Sequence, residues 1–392
     1  MACAVIILKK PSEYSIILPY FKACHELNEA SLYKILLNKK GNSMKKIAVF
    51  NHKGGVSKTT TSFNLGWCIS KLGKKVLLVD ADSQCNLTMY ALGSEKFEEY
   101  YTEKPNDNIY TALIPAFKSQ PRLIQPIDCP QINENLFLLP GHLDFTENEV
   151  QLGISMQLSS AFGAMENLPG AINYLVEETA KKYAIDFVIY DMNPSLSAIN
   201  QDIFICSDFF IIPCSPDLFS LMSIDSLCRV LTSWESWAQK ARPLFKDATY
   251  PLPQRTPKFL GYTINDFNLS HGRPQYTFRE FMQKISEKIT TQLVPELQNH
   301  QMTLDVSQYD QSYETMRISA HEHHIDYPDS FCLAQISNFN KLIALSNATS
   351  VPVFEVQLDK QMQHEGQART LSWFKFLYKA FATRILELTS HE

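Results

Sequence analysis

Residues 45–82 read KKIAVFNHKGGVSKTTTSFNLGWCISKLGKKVLLVDAD, and their order of strand, glycine loop, helix and strand decides the fold. Ile47-Ala48-Val49-Phe50 is too short for a helix and rich in branched and aromatic residues, which predicts a buried strand. The loop Asn51-His52-Lys53-Gly54-Gly55-Val56-Ser57-Lys58-Thr59-Thr60 follows. A helical stretch then carries Phe63, Leu65, Trp67, Ile69 and Leu72 before Gly73 stops it. Strand, paired glycines and helix start together make a phosphate cradle. The glycines let backbone N–H groups approach an anion, and the helix N-terminus adds positive potential. In such a cradle Lys58 reaches the β- and γ-phosphates and the Thr59 hydroxyl binds Mg2+.

The usual pattern, Gly-x4-Gly-Lys-Ser/Thr, is not met, because His52 and Ser57 stand where its glycines belong. Instead a second lysine, Lys53, opens the loop as Lys-Gly-Gly-x-x-Lys-Thr. This resembles the deviant Walker-A loop of the ParA/MinD family of dimerising ATPases. The resemblance implies ATP and Mg2+ as ligands, with Lys53 reaching across a nucleotide sandwich dimer to the partner's phosphates. Residues Lys53 to Thr60 would then form the nucleotide-binding loop, with Gly54, Gly55, Val56 and Ser57 supplying its backbone. Most members carry glycine where Ser57 stands, which predicts a different local backbone angle here.

Two further runs extend the resemblance. Lys75-Val-Leu-Leu-Val-Asp80-Ala-Asp82-Ser-Gln84 reads as a buried parallel strand with carboxylates at its C-terminal end, where open α/β sheets place ligands. It is similar to the family's Asp-x-Asp-Pro-Gln segment, with Ser83 for the proline. That implies Asp82 as the residue that orients the attacking water and Asp80 as support for the metal shell. A strand-ending aspartate that merely caps the next helix is the plain alternative. Ile185-Asp-Phe-Val-Ile-Tyr-Asp191 reads as another core strand, and Asp191 suits a carboxylate that holds Mg2+ through water. Asp191-Met-Asn-Pro-Ser-Leu196 resembles the family's Asp-x-Pro-Pro-Ser-Leu switch. Asn193 replaces the first proline, which predicts a looser loop. Asp208 to Pro216 reads as a strand, Leu218 to Met222 as the segment after it, and Phe259 to Asn265 as the next strand. By family position Pro213 and Asn265 would line the nucleotide, Asn265 at the adenine.

The chain has 392 residues, a net charge of -5 and a pI near 6.1, so any DNA contact must come from a local patch. Its nine cysteines are odd in number and contain no Cys-x-x-Cys, which fits reduced cytoplasmic thiols better than a disulfide framework. No apolar run approaches the roughly 20 residues of a membrane span. Residues 1–43 read as a detachable N-terminal extension or a misassigned start, and 44–392 as one ATPase domain. Residues 95–135, with five prolines, read as a loop-rich insertion, and 231–258 as a Trp- and Pro-rich insertion forming a satellite core. His321-Glu-His-His324 reads as a solvated loop rather than a metal site.

The expected fold is α/β: a mostly parallel, twisted sheet with helices on both faces, a P-loop NTPase of the deviant Walker-A type. Leu371, Phe374, Tyr378, Phe381, Ile385 and Leu388 form one apolar stripe on a final helix, read as core packing. A lipid-docking reading would use Lys375, Lys379 and Arg384. The family resemblance implies a homodimer on ATP binding, non-specific DNA binding, a ParB-like activator, and a cytoplasmic, nucleoid-associated ATPase that partitions a plasmid or chromosome. Lys284, Lys288, Lys375 and Lys379 are the candidate phosphate contacts. A MinD-like membrane switch is the alternative. An iron–sulfur reductase like the nitrogenase iron protein, prompted by Cys85 and Cys129, ranks last.

Overall fold

The computed structural model describes residues 44–157, 165–270, 273–322, 327–358 and 365–390. The reading of 1–43 as an extension therefore lies outside the described residues, as do the side chains of His321 to His324. Ten strands are present: β1 (Lys45–Val49), β2 (Val76–Ala81), β3 (Gln131–Asn133), β4 (Leu136–Leu139), β5 (Phe187–Met192), β6 (Phe209–Cys214), β7 (Lys258–Phe267), β8 (Leu269–Ser270), β9 (Arg273–Pro274) and β10 (Cys332–Ser337). Eight of them form one sheet in the order β10-β7-β6-β1-β5-β2-β4-β3, and β8 with β9 makes a separate hairpin. Every pairing in the large sheet is parallel except β3 with β4. Every residue of β1, β2, β5 and β6 is buried, as a sheet covered on both faces requires. The expected fold class is the observed one.

The helices fall into two packed sets. One joins α1 (Lys58–Lys71) to α2 (Asn86–Leu92), α3 (Ser94–Glu103) and the final helix; the other joins α5 (Asn148–Gln157), α6 (Ala171–Tyr183), α7 (Ala198–Cys206) and α8 (Leu218–Ala241), with α4 (Ile109–Phe117) against α6. Beyond α8, α9 (Tyr276–Lys288) runs through a wider turn into α10 (Val294–Asn299), and α11 (Val306–Glu322) and α12 (Lys341–Thr349) flank β10. Gly261 in β7 sits at φ +142, and a Cβ there would lie 2.3 Å from the Phe331 carbonyl oxygen, so only glycine lets these segments approach.

The final helix α13 (Glu365–Leu388) buries Phe374, Tyr378, Phe381, Ile385 and Leu388, and packs on α1 and β10. Its apolar stripe is therefore core, as the spacing predicted. Arg384, a lipid candidate by sequence, is buried instead. Its guanidinium donates to the Cys332 carbonyl at 2.5 Å, the Ser330 carbonyl at 2.6 Å and the Ser312 hydroxyl at 3.1 Å. It ties the last helix to β10 rather than facing lipid.

Two segments depart from expectation. Residues 95–135 are not mainly loop, because α3 and α4 occupy much of them. Pro105 lies just past α3, the Asn108 side chain accepts from Thr111 N at 3.0 Å as the cap of α4, and Pro115 sits near its C-terminal end. These prolines punctuate helices; they do not abolish them. Residues 231–258 begin inside α8. Trp234 packs 5.4 Å from the Phe50 ring and 5.7 Å from Phe204, so it belongs to the main core and not to a satellite. Glu235 and Arg242 form a buried two-point ion pair at 2.7 and 2.9 Å, which anchors the end of α8 to Thr256 and Pro253.

Candidate nucleotide site

β1 delivers the chain into the loop at Asn51, and α1 begins at Lys58. Gly55 takes φ +72, a left-handed angle that favours glycine. Ser57 takes φ 62 and ψ 35, a left-handed angle that favours glycine. That conformation costs a residue with a side chain about 1–2 kcal/mol. Ser57→Gly should relieve that cost, offset in part by the extra freedom of glycine in the unfolded chain. The expected result is a Tm higher by about 1–2 °C; a lower Tm would show that the serine side chain contributes more than its backbone strain takes away.

Asn51, passed over in the sequence, organises the loop. Its side-chain NH2 donates to the Pro213 carbonyl at 2.9 Å and its side-chain oxygen accepts from Lys53 N at 3.0 Å. Pro213 is thus placed beside the loop, with its carbonyl engaged by Asn51. The Lys58 ammonium donates to the carbonyls of Asn51 at 2.9 Å and Lys53 at 3.0 Å, so it lies within the cradle. Burial pushes Lys58 down to about 8, opposed by the charges of Asp191 and Asp82 and aided by Lys53. These four groups, separated in sequence, share one electrostatic neighbourhood. The Lys53 ammonium meets Asp217 at 2.5 Å and the Ser220 hydroxyl at 3.3 Å, partners that sequence reasoning missed.

The sign of the Lys58 shift has a consequence for ligand binding. A triphosphate favours the charged amine, so binding must supply a proton to any Lys58 that is neutral. With a value near 8 in the free protein, ATP affinity should fall about 25-fold between pH 7.5 and 9.5. Fold stability moves the other way, since a lysine lowered from 10.5 is less penalised once neutral and the fold gains as pH rises from 8 to 10.5. Nucleotide titrations at the two pH values, with Lys58→Arg as the flat control, check this; a flat wild-type profile would place Lys58 fully charged throughout.

Asp80 of β2 and Asp191 of β5 are register partners on neighbouring strands. Asp80 Oδ2 accepts from the Thr88 hydroxyl at 2.6 Å and from Thr88 N at 2.8 Å, and Asp80 Oδ1 accepts from Asp82 N at 3.3 Å. Burial, and then the nearby Asp191 charge, push Asp80 up to about 7. Asp191 is pushed up to about 7 by burial and by Asp82, against the hydroxyls of Thr59 and Ser62 and the charge of Lys58. Its Oδ1 accepts from Ser62 at 3.3 Å, whereas its Oδ2 is buried with no hydrogen-bond partner among the described residues. An orphaned carboxylate oxygen beside the Thr59 hydroxyl fits Mg2+, which binds through one or two protein oxygens, waters and substrate phosphates. Asp82 is half-buried, and its Oδ1 accepts from Gln84 N at 3.0 Å.

Asn193 is tied into the switch loop by hydrogen bonds. Asn200 donates to the Asn193 carbonyl and side chain, both at 2.9 Å, and to the Ser195 carbonyl at 2.7 Å. Glu149 of α5 accepts from Ala198 N at 2.5 Å and Ile199 N at 3.1 Å, fixing the start of α7 behind this loop.

Asn265 is buried; its NH2 donates to the Val56 carbonyl at 2.9 Å and to Thr61 at 3.3 Å, while its side-chain oxygen has no partner among the described residues. It lines a narrow cleft with Ser57, Thr60, Asn338 and Phe339, beside the start of α1. Leu218, Phe219 and Met222 are exposed at the start of α8. Cys85 is buried at the start of α2, where burial pushes its thiol up to about 12, and burial raises Cys129 too, so neither favours the thiolate a cluster needs. Two of the proposed phosphate contacts are engaged elsewhere: Lys288 pairs with Asp225 and Lys284 with Glu280, both at 2.6 Å.

The AAA domain family matches this chain over residues 44–241, from the first core strand through α8. An uncharacterized protein of Methanocaldococcus jannaschii is 30% identical over 178 residues, covering 45% of this chain and 61% of that one. The sporulation initiation inhibitor protein Soj of Bacillus subtilis is 32% identical over 185 residues, covering 46% and 62%. This chain therefore spans about three fifths of the length of these curated relatives. Among solved structures, a putative plasmid partition protein from Borrelia burgdorferi B31 bound to AMPPNP is similar at 20% identity and a TM-score of 0.46, with 86% of this chain and 100% of that one covered.

Proposed function

This chain belongs to the ParA/MinD family of P-loop ATPases, and on that footing we propose that it is a DNA-partitioning ATPase whose ATP-bound form is a homodimer. One observation carries this reading: Lys53, Lys58, Asp82 and Asp191, scattered over 139 positions, converge at the C-terminal ends of β1, β2 and β5. The name of the similar Thermus thermophilus protein, chromosome-partitioning ATPase Soj, points the same way.

The loop N–H groups from Gly54 to Thr60 and the Lys58 ammonium would bind the β- and γ-phosphates. Thr59 and Asp191, with Asp80 behind them, would hold Mg2+, which when bound neutralises phosphate charge. Asp82 would orient a water in line with the γ-phosphate, and Lys53 would cross to the partner's nucleotide. Little covalent chemistry is asked of the protein, so positioning and charge neutralisation set the rate. A cation supplied in trans can be worth about 10³–10⁵-fold in related phosphoryl transfers, which would make turnover a timer for dimer life. The uncommitted Asn265 oxygen would accept from the adenine amino group, and Pro213 would hold the loop at the nucleotide's edge.

ATP-closed dimers would bind DNA non-specifically, with Lys375 and Lys379 as contacts, and a ParB-like activator would trigger release. The protein would then act on the nucleoid in the cytoplasm. The membrane alternative loses its support because the stripe on α13 is buried and Arg384 is engaged within the fold. Lys53→Ala should bind ATP with affinity within about threefold of the parent but fail to dimerise with ATP, and should lose salt-sensitive, ATP-dependent retention on non-specific DNA. Light scattering with a non-hydrolysable analogue reads the first part, and a DNA column the second. A variant that dimerises normally removes the in-trans role.

A further inference from the structure

We propose that Asp217 is a positioning residue that keeps Lys53 within its own protomer until a partner's nucleotide draws it across. This rests on the in-trans role proposed above for Lys53. The Lys53 ammonium lies 2.5 Å from Asp217 Oδ2 and 3.3 Å from the Ser220 hydroxyl. Asp217 is not a mobile surface acid. Its Oδ1 accepts from Ser220 N at 2.8 Å as the N-cap of the 24-residue helix α8. The segment before it is stitched to the glycine loop: Asn51 donates to the Pro213 carbonyl at 2.9 Å, and the Ser215 hydroxyl donates to the Gly55 carbonyl at 3.4 Å. Ser215 N in turn donates to the Ser220 hydroxyl at 3.0 Å. The acid is therefore held in a fixed place beside the cradle.

The pair has the strength a releasable latch needs. The Lys53 side chain is 18% exposed and that of Asp217 41%, so water screens the attraction. One carboxylate then competes with a triphosphate carrying several negative charges, and the triphosphate wins only when a partner presents it. Free protomers stay parked; nucleotide-loaded pairs exchange their lysines. Because a two-fold dimer must release two latches, the penalty on association is squared. A factor of about fivefold per latch, the upper end for a partly exposed pair, becomes about 25-fold on the dimer.

Asp217→Asn keeps a side-chain oxygen for the helix cap but removes the charge. With a non-hydrolysable ATP analogue, the protein concentration for half-association should fall about 25-fold, and Asp217→Asn combined with Lys53→Ala should behave as Lys53→Ala alone. A second arm needs neither nucleotide nor partner: acylation of Lys53 in the free full chain, read by mass spectrometry, should speed up about fivefold in Asp217→Asn. Unchanged acylation overturns the latch. Faster acylation with unchanged association shows that the latch exists but that Lys53 does not act across the dimer, which overturns the proposal through the reading it rests on.

Discussion

Lys58→Ala should weaken ATP binding by at least 100-fold while leaving Tm unchanged or higher. The two halves of that result have one cause. In the free protein the Lys58 ammonium is buried and donates to two backbone carbonyls, those of Asn51 and Lys53, with no carboxylate in direct contact among the described residues. Holding a charge there is unfavourable, as its depression to about 8 records. Deleting it removes a desolvation cost from the fold, against which stand the two hydrogen bonds and a small cavity. The triphosphate reverses this balance, since an ammonium in a water-poor cradle makes charge-assisted bonds worth about 3 kcal/mol or more, or roughly 100-fold and above. Function thus draws on local instability, as is usual where a site is built for a ligand. Fluorescent-nucleotide titration and a thermal melt on the same sample check it. A large fall in Tm alongside lost binding would mean that Lys58 mainly holds the loop together.

The parts of the site that were legible in the sequence are those whose chemistry is local. Lys53, Gly54, Gly55, Lys58 and Thr59 lie within seven residues on one strand–loop–helix turn, so spacing alone sets their geometry. Asp80 and Asp191 were legible for a related reason: each ends an apolar run that reads as a parallel strand, and such strands end at the ligand edge. What could not be read is tertiary. Asn51 and Pro213 meet across 162 positions, and Lys53 and Asp217 across 164. Nothing in Ser-Pro-Asp217-Leu marks the acid as a lysine partner rather than an ordinary helix cap. Single departures from a motif are as hard to read, because their effect depends on their surroundings. Ser57 holds a left-handed angle that costs strain, and Asn193 is tied into its loop by hydrogen bonds that no local pattern announces. The helices α3 and α4 were obscured because proline marks where helices end as well as where loops lie.

Asp82→Ala should lower ATP turnover by about 10²–10³-fold while ATP binding holds or tightens, leaving a long-lived ATP-bound dimer. The contrast with its neighbour explains why Asp82 and not Asp80 is the residue to change. Asp80 is fully buried, with Thr88 on one oxygen and the backbone of Asp82 on the other, so it is a support that fixes the turn. Asp82 stands half-buried at the strand end, and among the described residues only its Oδ1 is engaged, by Gln84 N. Its second oxygen is left to orient a water. The sign of the binding effect follows from charge. Asp82 raises Asp191 by repulsion, and it would repel a triphosphate in the same way, so its removal favours the bound nucleotide. A mere helix-capping role predicts the opposite pattern: turnover close to the parent and a Tm lower by a few degrees. Single-turnover hydrolysis, nucleotide titration and size-exclusion with ATP separate the two. Turnover near the parent rate would assign the water to another group, and weaker binding would show that Asp82 supports the cradle rather than the reaction.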